Sequence, residues 1–127
     1  MSYSNFDLGT EAGGHGATSG IPILTLVSSI LSVVSGTSPP ILAAGGMVNG
    51  GHLAALLTLG ASGAVFGTRF LLSQESLYTD LQREALLAAS TSTSVRTMAF
   101  DYALDTLGWP DGIDGRALRN SLCFVYR

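Results

Sequence analysis

The chain has 127 residues, of which 46% are apolar and only 12% charged, with a net charge of −3 and no lysine. That length supports one domain with a core of its own. Scattered arginines without a basic patch exclude a nucleic-acid partner, and the single Cys123 excludes an intramolecular disulfide or a multi-cysteine metal site.

The charge is unevenly placed. Residues 12–68 contain no Asp, Glu, Lys or Arg, only His15 and His52, so this stretch reads as buried interior. Met1 to Thr10 lacks the basic segment and apolar core of a signal peptide, which points to a cytoplasmic chain. The most apolar window, Ile21 to Val34, falls short of the roughly 20 residues of a bilayer span and contains Pro22, Thr25 and three serines. No membrane partner is expected.

In chain order, Met1 to Leu8 is polar and suggests no element, and Gly9 to Gly16 (GTEAGGHG) reads as a loop. Ile23, Leu26, Val27, Ile30, Leu31 and Val34 share one helical face within Ile21 to Val34. Ser35 to Pro39 is a turn. Ile41 to Ala44 reads as a strand closed by Gly45-Gly46, and Gly63 to Gly67 as a second strand closed by Gly67-Thr68. Between them a helix starts at the N-cap Asn49 and stops at Gly60. A helical connection makes the strands parallel, and uncharged faces predict cover on both sides. Glu75 to Ser90 reads as a helix with Leu77, Leu81, Ala85 and Ala88 on its inner face and Asp80, Arg83 and Glu84 in water. Thr91 to Phe100 reads as extended, Asp101 to Leu107 as a short helix, Gly108 to Gly115 as a turn, and Arg116 to Ser121 as the start of another helix.

Two glycine turns after adjacent parallel strands, one of them leading into a helix, suit a phosphate, because glycine lets the ligand approach backbone N–H groups. In eight-stranded β/α barrels the phosphate site lies after the last two strands. Glycines there also serve simply to make tight turns, and spacing alone leaves both readings open. His15, between glycines and four residues after Glu11, is either a base able to take a proton from a carbon acid or an exposed loop residue without a task. His52 reads as structural. Arg69 either supports the phosphate or pairs with a carboxylate, and Trp109 packs down the C-terminal segment or walls the substrate. Asp101, Asp105, Asp111 and Asp114 read as caps and turn residues, and no metal site is expected.

Three blocks together resemble the nitronate monooxygenases: GTEAGGHG at 9–16, PILAAGGMVNGGHLAALLTLGASGAVFGTRF at 40–70 and LGWPDGIDGRALRN at 107–120. The first two are shared with the flavin type of enoyl-acyl-carrier-protein reductase, and the third favours the nitronate branch. The resemblance implies the C-terminal part of an FMN-binding (β/α)8 TIM barrel, strands seven and eight with flanking helices. Residues 1–121 would form this partial domain and residues 122–127 a divergent tail. It implies that His15 is the catalytic residue, that Gly13, Gly14, Gly45, Gly46, Gly67 and Thr68 bind FMN, and that an alkyl nitronate and O2 yield a carbonyl compound and nitrite. Enoyl-thioester reduction and a non-catalytic remnant are the alternatives. Met1 to Leu8 stands at strand six, and strands one to five have no counterpart. The expectation is a chain inactive by itself and prone to self-association through open sheet edges.

Overall fold

The apolar face of the first helix forms where its spacing predicts. In a computed structural model, which describes residues 9–34 and 38–126, α1 runs Ile23–Val33 with Ile23 and Val27 buried. Its cap residue Pro22 offers no side-chain acceptor. Glu11 substitutes from twelve residues upstream, its Oε2 accepting the Ile23 N–H at 3.2 Å. A carboxylate at that end also complements the helix dipole.

The strand–helix–strand unit folds as its punctuation predicts. Strand β2 (Leu42–Ala44) pairs in parallel with β3 (Gly63–Val65), with Leu42 opposite Gly63 and Ala44 opposite Val65. Between them α2 spans Gly50–Leu59. Asn49 caps it by accepting the His52 N–H at 3.1 Å, and Gly60 ends it in the left-handed conformation. Helices α1 and α2 cover one face of the pair, burying Ile23, Val27, Ala43, Met47, Leu56 and Ala61, with Leu31, Ala64 and Phe66 packed at the margin. Leu56 is only 1% exposed.

Cover on both faces is not what the described residues form. Side chains alternate along a strand, so Leu42 and Val65 project away from the helices, and both are nearly half exposed. The chain contacts this sheet again at Gly9, whose N–H donates to the Ala44 carbonyl at 3.2 Å. Met1 to Leu8, expected at the sixth barrel strand, and Ser35 to Thr37 of the expected turn lie outside the described residues.

After β3 a 3-10 turn at Thr68–Leu72 precedes α3 (Asp80–Ala88), which starts later than expected. Thr79 and Gln82 form a reciprocal capping box that fixes this start, leaving Glu75 before the helix and Asp80 in its first turn. The inner face is also not the expected one. Leu77 is 100% exposed, Leu81 is largely exposed, and Arg83 lies partly buried, donating to the Ser76 carbonyl at 3.0 Å.

The C-terminal half departs most from expectation. A second 3-10 turn at Thr91–Thr93 leads into β4 (Ser94–Thr97), so only part of Thr91 to Phe100 is extended. The short helix α4 is Ala99–Leu104, and α5 is Leu122–Val125. Residues expected to turn and then enter a helix instead form β5 (Ile113–Leu118), the longest strand among the described residues. It pairs antiparallel with β4 on one side and on the other with β1 (Gly14–Ala17), within the expected glycine loop. Neither GHGA nor IDGRAL has alternating β-branched residues, so partners distant in sequence create these strands. On one face of this sheet Arg96 lies opposite Arg116. Arg96 donates to Asp114 Oδ1 at 2.6 Å and to the Gly16 carbonyl at 2.7 Å, while Arg116 donates to Ser94 Oγ and the Thr10 carbonyl, each at 3.0 Å. Both guanidinium groups thus anchor the 10–17 segment. Asp114, expected in a turn, is an ion-pair partner within β5.

Candidate functional site

The glycine turns singled out in the sequence converge. Loop Glu11–Gly13 packs on the turn after β2. A Cβ on Gly45 would stand 3.1 Å from Ala12 Cβ, and one on Gly46 would stand 2.5 Å from Glu11 Cβ. Both glycines also have positive φ, 115° and 67°. Loop packing therefore requires glycine at 45 and 46 whatever binds beside them. Gly13 and Gly67 answer to a different cause. A Cβ on Gly13 would meet only Thr68 Oγ1, at 3.8 Å, and one on Gly67 would meet nothing within 4 Å. The same open space surrounds Gly14.

The backbone N–H groups of Gly13, Gly46, Gly67 and Thr68 make no hydrogen bond among the described residues, whereas Gly45 directly follows β2 and continues its pairing with β3. Unpaired N–H groups on glycine turns are donors available to an anion. Arg69 is exposed beside them and pairs with no carboxylate among the described residues. A separate, largely apolar pocket of about 210 Å³ lies on the helix side of the Gly45-Gly46 turn, lined by Glu11, Ile23, Met47, His52 and Leu56 among others, and does not reach His15. His52 is structural, its Nδ1 accepting the Val48 N–H at 3.2 Å.

His15 sits in β1, directly after Gly13-Gly14. Opposite it in β5 stands Gly115, where a Cβ would come within 3.6 Å of His15 Nε2, so the ring lies over a glycine. His15 is a strand residue, not a loop residue. Its Nε2 is 2.9 Å from Asp101 Oδ1 in α4, and its ring stacks on Trp109 at 3.9 Å between centroids and 15° between planes. Its side chain keeps 32% of its surface accessible.

Asp101 was expected to be a cap or turn residue and is instead the polar centre of the site. It is 3% exposed, and its Oδ1 also accepts from Thr106 Oγ1 at 3.0 Å and Trp109 Nε1 at 3.2 Å. Burial by itself would raise this carboxyl. The Thr106 and His15 hydrogen bonds, the charge of His15 and the Trp109 hydrogen bond outweigh it and hold the group below its ordinary value. Trp109 docks its segment against β1 and α4. It fixes one face of His15 and donates its indole N–H to Asp101. A sequence signal for Asp101 did exist: one carboxylate inside the apolar run Met98 to Leu104 is a buried charge that needs partners. Asp105 is the left-handed cap of α4, and Asp111 lies in the turn before β5.

The family model for nitronate monooxygenase matches residues 8–107. The nitronate monooxygenase npaC of Metarhizium robertsii is 36% identical over 115 residues, covering 88% of this chain and 32% of that protein. A 5-hydroxy-7a-methyl-1-oxo-octahydro-1H-indene-4-carboxyl-CoA dehydrogenase of Mycobacterium tuberculosis is 38% identical over 114 residues, 90% of this chain and 29% of that one. Among solved structures, a FabK point mutant from Thermotoga maritima is similar with a TM-score of 0.67 and 30% identity, over 88% of this chain and 32% of that one. The chain spans about a third of the length of these relatives.

Proposed function

We propose a function from the premise that this chain belongs to the nitronate monooxygenase family. It is an FMN-dependent oxidoreductase chain serving the oxidation of alkyl nitronates by O2 to a carbonyl compound and nitrite. One observation carries the reading: the turns at Gly13-Gly14, Gly45-Gly46 and Gly67-Thr68 converge beside His15, with the N–H groups of Gly13, Gly46, Gly67 and Thr68 unpaired among the described residues. The residues fit a flavin phosphate, since Gly67 and Gly14 have open space where a Cβ would stand. Thr68 Oγ1 and the amides of Gly46, Gly67 and Thr68 would hold that phosphate, with Gly45 shaping the turn and Arg69 adding positive charge. FMN, when bound, supplies the electron acceptor for the substrate. His15 positions the nitronate or takes the α-proton of the carbon acid that gives rise to it. In this reading β2 and β3 are the seventh and eighth strands of a β/α barrel.

A second reading, redox chemistry on an acyl thioester, draws support from the carboxyl-CoA dehydrogenase relative. Exchange of residues 8–107 into the Metarhizium robertsii enzyme separates the two. The flavin-loaded chimera is expected to release nitrite from an alkyl nitronate in air, and His15→Gln to lower that rate by about 10²-fold or more at unchanged flavin content. A flavin-loaded chimera that ignores nitronates but turns over an acyl thioester decides for the second reading. The 127 residues by themselves leave the Leu42 and Val65 face in water, so flavin binding without turnover is expected of them.

A further inference from the structure

We infer that Asp101 fixes the tautomer of His15, so that Nδ1, and not Nε2, is the atom that accepts a proton at this site. The inference rests on the reading of His15 as the acid–base group and names the atom and the positioning residue that act there. Three donors converge on Asp101 Oδ1: His15 Nε2 at 2.9 Å, Thr106 Oγ1 at 3.0 Å and Trp109 Nε1 at 3.2 Å. An indole N–H can only donate, and an ionised carboxylate can only accept. The fall in the Asp101 pKa is the consequence expected of such a cluster. Nε2 therefore carries the hydrogen. A neutral imidazole has one ring proton, which leaves Nδ1 a lone pair.

The ring has little freedom to reverse this. Trp109 covers one face at 3.9 Å and is tied to the same carboxylate oxygen, so indole, carboxylate and imidazole fix one another. No hydrogen bond reaches Nδ1 among the described residues. Other charges of this sheet do not compete for the ring. Strand alternation puts Arg96 in β4 and Asp114 and Arg116 in β5 on the face opposite His15, Gly115 and Thr97. There Arg96 pairs with Asp114, and Arg116 holds Ser94 and the Thr10 carbonyl. A proton leaving a carbon acid would pass to Nδ1 and its electron pair would stay on carbon. The resulting imidazolium would face the Asp101 carboxylate.

Nitrogen-15 spectroscopy of the whole 127-residue chain, labelled at histidine and free of flavin and substrate, tests this. Ring nitrogen shifts distinguish a protonated from an unprotonated nitrogen, and His15→Gln assigns the signals. At a pH where the ring is neutral, His15 is expected as a single Nε2–H tautomer. Asp101→Asn keeps an acceptor oxygen and is expected to keep that tautomer. Asp101→Val removes the acceptor and is expected to lose the single-tautomer signature. His52, whose Nδ1 accepts the Val48 N–H, is the internal reference and should not respond. An Nδ1–H tautomer in the unsubstituted chain overturns the inference, as does a folded Asp101→Val chain with the signature intact. Should Asp101→Val not fold, the unsubstituted chain decides. Because no flavin or nitronate is present, failure of the nitronate reading and failure of this inference remain separate results.

Discussion

Asp101→Ala tests whether the polar cluster around His15 holds the fold together as its geometry implies. The substitution removes an acceptor shared by an imidazole, a hydroxyl and an indole N–H, at 2.9, 3.0 and 3.2 Å. A hydrogen bond to a charged group contributes about 1.5–3 kcal/mol. Three bonds to one oxygen do not add independently. Two donors, on His15 at 32% and Trp109 at 45% exposure, regain water once the carboxylate is gone. These considerations place the loss at about 2–4 kcal/mol, a large part of the roughly 5–15 kcal/mol that stabilises a typical domain. Asp101→Asn keeps an oxygen but loses the charge. Charge-assisted bonds are about twice as strong as neutral ones, so about half the loss is expected. Urea unfolding followed by the fluorescence of Trp109, the only tryptophan, gives both values. An Asp101→Ala chain within about 0.5 kcal/mol of the unsubstituted one, the range of an ordinary surface change, would refute the reasoning.

The pH dependence of the same group has a defined sign. Because the folded Asp101 carboxyl lies below its ordinary value of 3.8, the unfolded chain binds the proton more readily. Asp101 therefore contributes its full stability above that ordinary value and loses it as pH falls through it toward the lower folded value. Stability measured from pH 6 downward should decline more steeply in the unsubstituted chain than in Asp101→Asn below about pH 4, and parallel slopes would contradict this. The glycines at the turns should separate by cause. Gly46→Ala meets Glu11 Cβ at 2.5 Å with φ at 67° and should cost about 2–4 kcal/mol in a denaturant titration. Gly67→Ala has open space and an ordinary φ of −98°, so it should leave stability within about 0.5 kcal/mol while weakening flavin binding at least several-fold.

Between Pro40 and Phe70 the fold was legible because its causes are local. Glycine closes each strand, and Asn49 and Gly60 bracket the helix; each signal acts within a turn or two of chain. Outside that stretch the causes are distant. GHGA becomes a strand only because Ile113–Leu118 lies beside it, and that segment is a strand only because Ser94–Thr97 and Gly14–Ala17 flank it. Local periodicity cannot register such pairing. The same reason divides the site. The glycine turns and His15 carry their signal in their own neighbours, whereas Asp101 takes its role from a partner 86 positions away. The expected inner face of α3 failed for a related reason: Leu77 and Leu81 keep helical spacing, yet no described element covers them.

Equilibrium titration of the chain with FMN and, in parallel, with riboflavin tests the central claim most directly. The two ligands differ only in the phosphate. If the turns at Gly13-Gly14, Gly45-Gly46 and Gly67-Thr68 form a phosphate cradle, FMN binds at least tenfold more tightly than riboflavin, a difference of about 1.4 kcal/mol, and Gly67→Asp abolishes the difference. Equal affinity for the two, or an FMN preference that survives Gly67→Asp, would contradict the account.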